Sequence, residues 1–557
     1  MPSTRCAVRH TQSPRRWPVV AMALLGVALS MPFARPAGAA SPLPCTPRTT
    51  SAYEAGAPAS PGPIAPVLCE YPTGFSGREG SMTINSKGHI FLAGTTDNKQ
   101  YGLAFSSDSG RTWQNRHVPS AFTAGIAYVY SDPQTDRLFY TSTTLGSNIC
   151  GLPFGYSDDE GLTWHVTYPP CTPLPYKGDW GRIFTAPPVT THPTGYPNLV
   201  YYCNFITAPT GGPLIGCWKS TNGGGSFAFD GYVTTVASCT GGAVDYSILG
   251  RAVAAKDGTL YMPINQCSTI ELATSHDEGR TWKLAPVPGA KTGGLVSAIQ
   301  NDLGESGCPA QPWNCPHFSA GFISEQLALD SDGSIYYVWP DGPLKLATSR
   351  DGGATWSAPV DVSVPTVNFT QISSVVALAP GKVVVSYYGR TTGPSWTGYM
   401  GYAADAFAKQ PTFHGGAITT SDSPLTPGRC CGERGYQDGD TLIEYGGIRE
   451  APDGTVWAIF FRDDKPNKRY LMEAGRMFLT PTATARSTGN AASRRPAAKS
   501  VAARGSQRPT VVAPPRRSLA ATGQSPWAPL VALGLLVAAV GVSAVRRRAA
   551  RLAPPSR

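Results

Sequence analysis

The stretch SRDGGATW, Ser349–Trp356, places one carboxylate beside two hydroxyl groups, a combination that suits general acid–base chemistry. The same pattern recurs as SSDSGRTW (Ser106–Trp113), SDDEGLTW (Ser157–Trp164) and SHDEGRTW (Ser275–Trp282), with a weaker copy STNGGGSF (Ser220–Phe227). The acidic position of the five copies is Asp108, Asp159, Asn222, Asp277 and Asp351, with separations of 51, 63, 55 and 74 residues. Repetition at this period indicates a repeat architecture rather than a single active site.

Each copy, which we call a box, has the composition of a tight turn between two strands. Asp351 can accept hydrogen bonds from the backbone N–H groups of the residues that follow it, and Gly353 can adopt the positive φ that such a turn needs. Trp356 would begin the next strand and bury its ring. We therefore predict that the box aspartates are structural.

The residues between the boxes repeat a second pattern of short strands. Runs such as GSIYYVW (Gly333–Trp339) and KVVVSYY (Lys382–Tyr388) are rich in β-branched and aromatic residues, and long helical periodicity is absent. Units with this pattern begin near Ser81, Ala124, Asp179, Ile248 and Phe322, and two units without a box begin at Ile372 and Gly447. The sequence predicts an all-β fold, a β-propeller with seven blades, or with six if one boxless unit is an insertion.

The boxes resemble the Asp boxes of the sialidase and related BNR-repeat propellers, and the match covers five units. The resemblance implies that the boxes lie away from the catalytic face. Proteins of this architecture include sialidases, other glycosidases, sorting receptors and assembly factors, so the fold leaves the function open.

Ligands of propellers gather at the mouth of the central channel, where the innermost strands begin, so polar residues at the unit starts are the candidates. These are Arg78, Glu79, Asp179, Arg182, Asp245, Tyr246, Arg251, Glu325, Gln326 and Gln371, and the dense run Arg434, Tyr436, Asp438, Asp440, Glu444, Tyr445 and Arg449.

If the chain is a sialidase, the resemblance implies a cationic clamp for the carboxylate of sialic acid, which the planar fork of arginine provides. We assign the clamp to Arg78, Arg251 and Arg449. The Phe-Arg-Ile-Pro motif that opens many bacterial sialidases is absent, and GREGSM (Gly77–Met82) stands in its place. The alternative for each arginine is a surface or inter-blade ion pair.

The sugar's carboxylate would repel a carboxylate nucleophile, and sialidases use a tyrosine instead. The resemblance implies that a glutamate activates this tyrosine and that an aspartate acts as the acid. We assign the nucleophile to Tyr436, its base to Glu444 and the acid to Asp179. These roles rest on positions at unit starts and not on a matched motif.

Two classes of function follow. One is an exo-glycosidase that hydrolyses terminal sialic acid or a similar acidic sugar; the other is a non-catalytic propeller that binds glycans or proteins at the cell surface. No cofactor is expected, although the acidic residues of 438–444 could face solvent or bind a structural Ca²⁺.

The two ends of the chain carry targeting signals. Residues 1–40 combine arginines, the apolar run Val19–Phe33 and small residues up to Ala40, which predicts a signal peptide. LAATG (Leu519–Gly523), an apolar segment at 529–545 and the basic tail Arg546–Arg551 resemble a sortase signal. The resemblance implies membrane insertion of the precursor, cleavage between Thr522 and Gly523 and attachment to peptidoglycan. The alternative is a plain C-terminal membrane anchor.

The two ends of the chain differ from the body in net charge. The body, residues 41–478, holds 28 basic and 36 acidic residues, a net charge of −8, whereas the formal +10 of the whole chain comes from residues 1–40 and 479–557. Nucleic-acid binding by the body is therefore not expected. We divide the body into an N-terminal segment, 41–75, and the propeller, 76–478. The composition of residues 479–518, which are rich in Ala, Arg, Pro and Ser, predicts a disordered linker across the wall.

Cysteine usage is typical of an exported protein. Of 13 cysteines, Cys6 leaves with the signal peptide, so an even number remains. Short separations suggest the pairs Cys45–Cys69, Cys150–Cys171, Cys203–Cys217, Cys239–Cys267 and Cys308–Cys315. Cys430 and Cys431 either pair with each other or reach separate partners.

Overall fold

The computed structural model of the chain describes residues 45–55, 66–77, 79–95, 101–122, 126–143, 152–170, 178–207, 213–234, 247–266, 269–291, 325–391, 395–420, 423–425, 446–464 and 469–479. These residues form 31 strands, and no helix occurs among them. Within these ranges no helix is therefore long and apolar enough to cross a membrane. The predicted signal peptide and sorting signal lie outside the described residues, as does the predicted linker apart from its first residue, Leu479.

The strands form seven antiparallel sheets, which we number as blades from the first box-bearing unit. Blade 1 contains β4 (Met82–Ile84), β5 (Ile90–Thr95), β6 (Tyr101–Ser106) and β7 (Gln114–His117). Blade 2 contains β8 (Ile126–Ser131), β9 (Leu138–Thr143), β10 (Phe154–Ser157) and β11 (His165–Thr167). Blade 3 contains β12 (Gly178–Ala186), β13 (Leu199–Thr207), β14 (Pro213–Ser220) and β15 (Ala228–Tyr232).

The remaining four blades follow in chain order. Blade 4 contains β16 (Ser247–Leu249), β17 (Val253–Ala254), β18 (Leu260–Gln266), β19 (Thr269–Ser275) and β20 (Lys283–Lys291). Blade 5 contains β21 (Leu327–Leu329), β22 (Ile335–Pro340), β23 (Leu344–Ser349) and β24 (Val360–Asp361). Blade 6 contains β25 (Phe369–Ala379), β26 (Lys382–Arg390), β27 (Thr397–Ala403) and β28 (Thr412–Ala417). Blade 7 contains β29 (Gly447–Glu450), β30 (Val456–Asp464) and β31 (Arg469–Phe478).

The first strand of every blade faces the centre of a ring. These innermost strands contact one another in the order β4, β8, β12, β17, β21, β25 and β29, and β29 contacts β4 again. The fold is thus a seven-bladed β-propeller, so the predicted fold class is confirmed with seven blades and not six. The blades begin within a few residues of the predicted unit starts.

The hydrophobic core lies between neighbouring blades. All six positions of β22, IYYVWP, are buried, because this second strand is covered by a sheet on each face. One core cluster joins Tyr261 and Leu272 of blade 4 to Tyr337 and Trp339 of blade 5. A strand covered on both faces needs apolar residues at consecutive positions, which explains why alternation is weak in the second strands.

The N-terminal segment closes the ring. Strand β3 (Val67–Ser76) pairs with β31 and supplies the fourth strand of blade 7, and β1 (Arg48–Thr49) pairs with β3 in turn. Strand β2 (Ser51–Glu54) extends the outer edge of blade 6 by pairing with β28. Part of the stretch 41–75 therefore belongs to the propeller itself, since the last sheet is completed by the beginning of the chain.

Two of the predicted disulfides are confirmed. Cys45–Cys69 ties the residues before β1 to the closing strand, and Cys203–Cys217 links the adjacent strands β13 and β14. The cysteines of the other three pairs, together with Cys430 and Cys431, lie outside the described residues.

The box of blade 5 is a turn between its third and fourth strands. The carboxylate of Asp351 accepts hydrogen bonds from the Thr355 N–H at 2.8 Å, from the Ser349 hydroxyl at 2.8 Å and from the Thr355 hydroxyl. The Thr355 side chain and backbone bonds lower the pKa of Asp351 to about 2. Gly353 has φ 90°, and its carbonyl accepts the indole N–H of Trp356 at 3.1 Å. Equivalent bonds occur at Asp108, Asp159, Asn222 and Asp277.

The boxes also join each blade to the one before it. A Cβ atom on Gly353 would lie 2.7 Å from Leu272 of blade 4, so the glycine is packed directly on that blade. In the blade 4 box, the Glu278 carboxylate accepts the backbone N–H groups of Val189, Thr190 and Thr191 in blade 3, at 2.7, 2.7 and 3.0 Å. The box is thus a turn and an inter-blade contact at once.

Candidate functional site

The centre of the ring holds a buried carboxylate. Glu325 comes just before β21, the innermost strand of blade 5, and its residue is 1% exposed. An ionised carboxylate buried to this extent needs cationic partners or several hydrogen bonds. The innermost strands of the other blades provide both.

Two arginines from other blades pair with Glu325. Arg251 of blade 4 lies with its Nε 3.3 Å from Oε1, and Arg449 of blade 7 donates from Nη2 to Oε1 at 2.7 Å and from Nη1 to Oε2. Burial alone would raise the pKa of Glu325, but the charges of Arg251 and Arg449 outweigh it and the pKa is lowered. Burial alone would lower the pKa of Arg449. The neighbouring carboxylate of Glu325 outweighs burial, so the pKa of Arg449 is raised above its ordinary value. Glu325 and Arg449 are therefore both charged.

A tyrosine and a third arginine complete the cluster. Tyr128, on β8 of blade 2, donates its hydroxyl to Oε1 of Glu325 at 3.2 Å, and burial raises the tyrosine pKa, so it stays a neutral donor. The guanidinium carbon of Arg182, on β12 of blade 3, lies 5.2 Å from the centroid of the Tyr128 ring. We call Tyr128, Arg182, Arg251, Glu325 and Arg449 the channel cluster; it joins five of the seven blades.

Blades 1 and 6 contribute no side chain to the channel cluster as defined above. Each has a residue with positive φ at or near its innermost strand. Glu79, just before β4 in blade 1, has φ 51°, and Ile372, in β25 of blade 6, has φ 48°. Positive φ is uncommon outside glycine and costs most at a β-branched residue such as isoleucine. The pairing of β25 with β26 shifts register between Gln371 and Ser374, around Ile372. Such strain is typical of sites where the backbone is held for a purpose other than sheet pairing.

The structure brings together two of the six predicted catalytic residues, Arg251 and Arg449. Asp179 lies on β12 opposite Phe205, and its side chain is outside the described part of the chain. Arg78, Tyr436 and Glu444 are outside it as well, so their predicted roles stay predictions. The same holds for Asp245, Tyr246, Arg434, Asp438, Asp440 and Tyr445.

Sequence reasoning did not assign Tyr128 or Arg182 to the site. Arg182 is among the unit-start candidates in the sequence, but the predicted clamp consists of Arg78, Arg251 and Arg449. Tyr128 stands in IAYVYS (Ile126–Ser131), where a tyrosine is ordinary strand composition.

The described residues contain no group of three or more His, Cys, Asp or Glu side chains placed to hold a metal ion. The acidic run 438–444, for which a Ca²⁺ site is one of two interpretations, lies outside those residues.

The site is thus an arginine-rich cluster in the central channel of a seven-bladed propeller. No family model matches the sequence, and no curated protein matches it. Among solved structures, the chain is similar to a protein of unknown function from Dyadobacter fermentans, with 12% identity, 66% of this chain and 98% of that chain covered, and a TM-score of 0.38. It is also similar to the leech intramolecular trans-sialidase, with 14% identity, 72% and 68% coverage and a TM-score of 0.37. The intramolecular trans-sialidase from Ruminococcus gnavus shows 14% identity, 72% and 94% coverage and a TM-score of 0.36.

Proposed function

We propose that this protein is a sialidase-like exo-glycosidase that removes terminal sialic acid, or a similar acidic sugar, from glycans. The observation that carries the proposal is the channel cluster, in which Arg251 and Arg449 from two blades pair with the carboxylate of Glu325. Arg182 from a third blade lies against the ring of Tyr128, whose hydroxyl donates to the same carboxylate. Guanidinium groups that converge on one carboxylate are suited to a second one on a ligand, because the planar fork offers more N–H donors than Glu325 can accept. Arg182 joins Arg251 and Arg449 in the proposed clamp, beside the predicted Arg78.

The chemistry would follow from the clamp. A carboxylate held on the anomeric carbon disfavours a carboxylate nucleophile, so the Tyr436 oxygen would attack that carbon while Glu444 takes the phenolic proton. Asp179 would give a proton to the departing glycosidic oxygen. Water then cleaves the glycosyl–tyrosine bond with Asp179 as base, and free sugar leaves.

A second candidate is a non-catalytic propeller that binds acidic glycans or proteins at the cell surface. It is favoured by Glu325, which pairs with both Arg251 and Arg449. Because Glu325 already neutralises part of the charge of these arginines, they would bind a substrate carboxylate less strongly. A propeller that only binds its ligand also needs no nucleophile.

Turnover of a fluorogenic sialoside by the full-length protein tests the first candidate. We expect activity that is lost in Tyr436→Phe and that falls in kcat/KM by about tenfold to a hundredfold in Arg182→Ala, because a charge-assisted contact to the sugar carboxylate is removed. Arg469→Ala is the control, since this arginine is 43% exposed and pairs only with Asp464 among the described residues.

No turnover at any pH on a panel of glycosides would contradict the glycosidase. Binding of acidic glycans on an array, lost in Arg182→Ala, would then support the second candidate; absence of both activities would contradict the two together.

Export and attachment to peptidoglycan by a sortase are part of the same proposal. They rest on the sequence of the two ends and are independent of the channel cluster. Thr522→Ala should release the protein from the wall fraction into the membrane or medium, because the substitution removes the threonine side chain from the pentapeptide that the transpeptidase would recognise. Unchanged wall retention of this variant would contradict the anchor.

A further inference from the structure

The central channel contains a cavity of about 520 Å³ beyond the channel cluster. Its lining includes the ends of innermost strands and the turns that follow them, such as Asp132–Gln134 after β8 and Ala255–Lys256 after β17. Ala328, three residues after Glu325, also lines it and lies roughly 10 Å further along the strand. The cavity therefore lies toward the ends of the innermost strands, where the box turns also lie, whereas the channel cluster lies at the starts of these strands.

Blades 4, 5 and 6 form an apolar wall of this cavity. The lining residues here are Val253, Ala254, Ala255, Ala328, Leu329, Val376 and Ala377. All but Ala328 are only partly buried, although they lie inside a concave site. The volume falls within the roughly 300–1,000 Å³ of small-molecule sites, and apolar surface of this kind favours an apolar ligand body.

Blades 2 and 3 line the cavity with both apolar and polar residues, and several of the polar side chains are already paired with one another. The hydroxyl groups of Tyr130 and Thr185 lie 3.0 Å apart. The Asp132 carboxylate accepts the side chains of Tyr196 and Asn198, the second at 3.0 Å. These groups shape the cavity but leave little capacity for an ionic contact.

Arg251 is the cation at the inner end of the cavity. Its Nε faces Glu325, while its terminal Nη1 and Nη2 groups have no hydrogen-bond acceptor among the described residues. The one other lining cation, Lys256, lies at the outer turn and donates to the Ser331 carbonyl at 2.8 Å. An anion inside the cavity would thus be met by the Nη groups of Arg251.

We infer that this cavity binds a small organic acid with an apolar body, whose carboxylate contacts Arg251 and whose body packs on Ala254, Ala328 and Ala377. The cavity shares Arg251 with the proposed sugar clamp, but its apolar wall lies toward the ends of the innermost strands, beyond the strand starts to which the clamp is assigned. It does not depend on glycosidase activity, and its test reads no turnover.

The test uses two fluorescent probes of similar shape, anionic anilinonaphthalene sulfonate and the uncharged N-phenylnaphthylamine, titrated into the full-length protein. Ala254→Phe and Ala377→Phe fill the cavity from different blades, and each should weaken the binding of both probes about tenfold or more.

Arg251→Met should weaken the binding of the anionic probe about tenfold and that of the neutral probe less than about twofold. Lys256→Met, the matched control, should change neither by more than about twofold. Thermal melting confirms that each variant is folded.

The wild-type protein provides a measurement that needs no variant. Octanoate should displace the anionic probe, and octanol, which has the same chain without the charge, should not do so at the same concentration. Full affinity in both filling variants would overturn the cavity as the site. Equal displacement by the acid and the alcohol, or a loss in Lys256→Met instead of Arg251→Met, would overturn the role of Arg251.

Discussion

Glu278 offers a sharp test of how the blades are held together. Its side chain is 1% exposed and accepts three backbone N–H groups of blade 3 and the Thr191 hydroxyl. Burial raises the pKa of Glu278, but the bonds from Thr191, Thr190 and Val189 outweigh it and lower the pKa to about 2. Relative to its ordinary value of 4.5, this shift corresponds to about 3 kcal/mol of folding free energy. That contribution is complete above pH 4.5 and is lost as pH falls through 2.

Glu278→Gln keeps the shape and removes the charge, so it should lower the free energy of unfolding by up to about 3 kcal/mol at pH 7. The difference from wild type should shrink to roughly 1 kcal/mol at pH 3, where the unfolded wild-type glutamate is already protonated. Urea unfolding followed by tryptophan fluorescence at pH 7, 5 and 3 measures both values.

Glu160→Gln is the matched control, because Glu160 has the same position in the blade 2 box. Its partners in blade 1 are side chains, Asn85 Nδ2 at 3.1 Å, Lys87 Nζ at 2.9 Å and His89 Nδ1 at 3.0 Å, and it is 21% exposed. More exposed side-chain pairs contribute about 1 kcal/mol or less. Equal losses in the two variants, or a Glu278→Gln difference that does not change with pH, would refute the reasoning.

Two further predictions concern stability. Burial raises the pKa of Glu473 to about 7 against the opposing charge of Arg462, so the folded state holds an extra proton between pH 4.5 and 7. Wild-type stability should therefore fall by about 3 kcal/mol relative to Glu473→Gln as pH rises through this window, and parallel pH profiles in urea unfolding would contradict this. Gly353→Ala should lower the free energy of unfolding by roughly 1–3 kcal/mol more than Gly333→Ala, because both have positive φ but only the first places a Cβ against Leu272. Equal midpoints for the two alanine variants would show that the contact with Leu272 is unimportant.

The propeller could be predicted because its signals are local and repeated. A box such as Ser349–Trp356 encodes its turn within eight residues: Asp351 binds the backbone, and Gly353 adopts positive φ. The seven unit starts follow from the same period. The contribution of β3 to blade 7 had no such signal, because it pairs with β31 from the opposite end of the chain.

The channel cluster was only partly predictable for a related reason. Arg251, Glu325 and Arg449 stand at unit starts, where polar residues are conspicuous in the sequence. Which of them meet depends on how far each innermost strand extends toward the ring axis, and bulges such as the one between Asp179 and Arg182 shift that position by a residue or more. Glu325 was a candidate ligand residue in the sequence, and in the structure it is the partner of the arginines.

The charge balance of the ring centre bears on whether the cluster is only structural. An inter-blade ion-pair network with no other role would be expected to balance, since an uncompensated buried charge costs several kcal/mol. Among the described residues, Arg251 and Arg449 pair with the single carboxylate of Glu325, and these three side chains are at most 17% exposed. The pairing holds blades 4, 5 and 7 together through Glu325. An acidic ligand that contacted the same two guanidinium groups would add a second negative charge opposite them, and this is the role that the proposed function gives them.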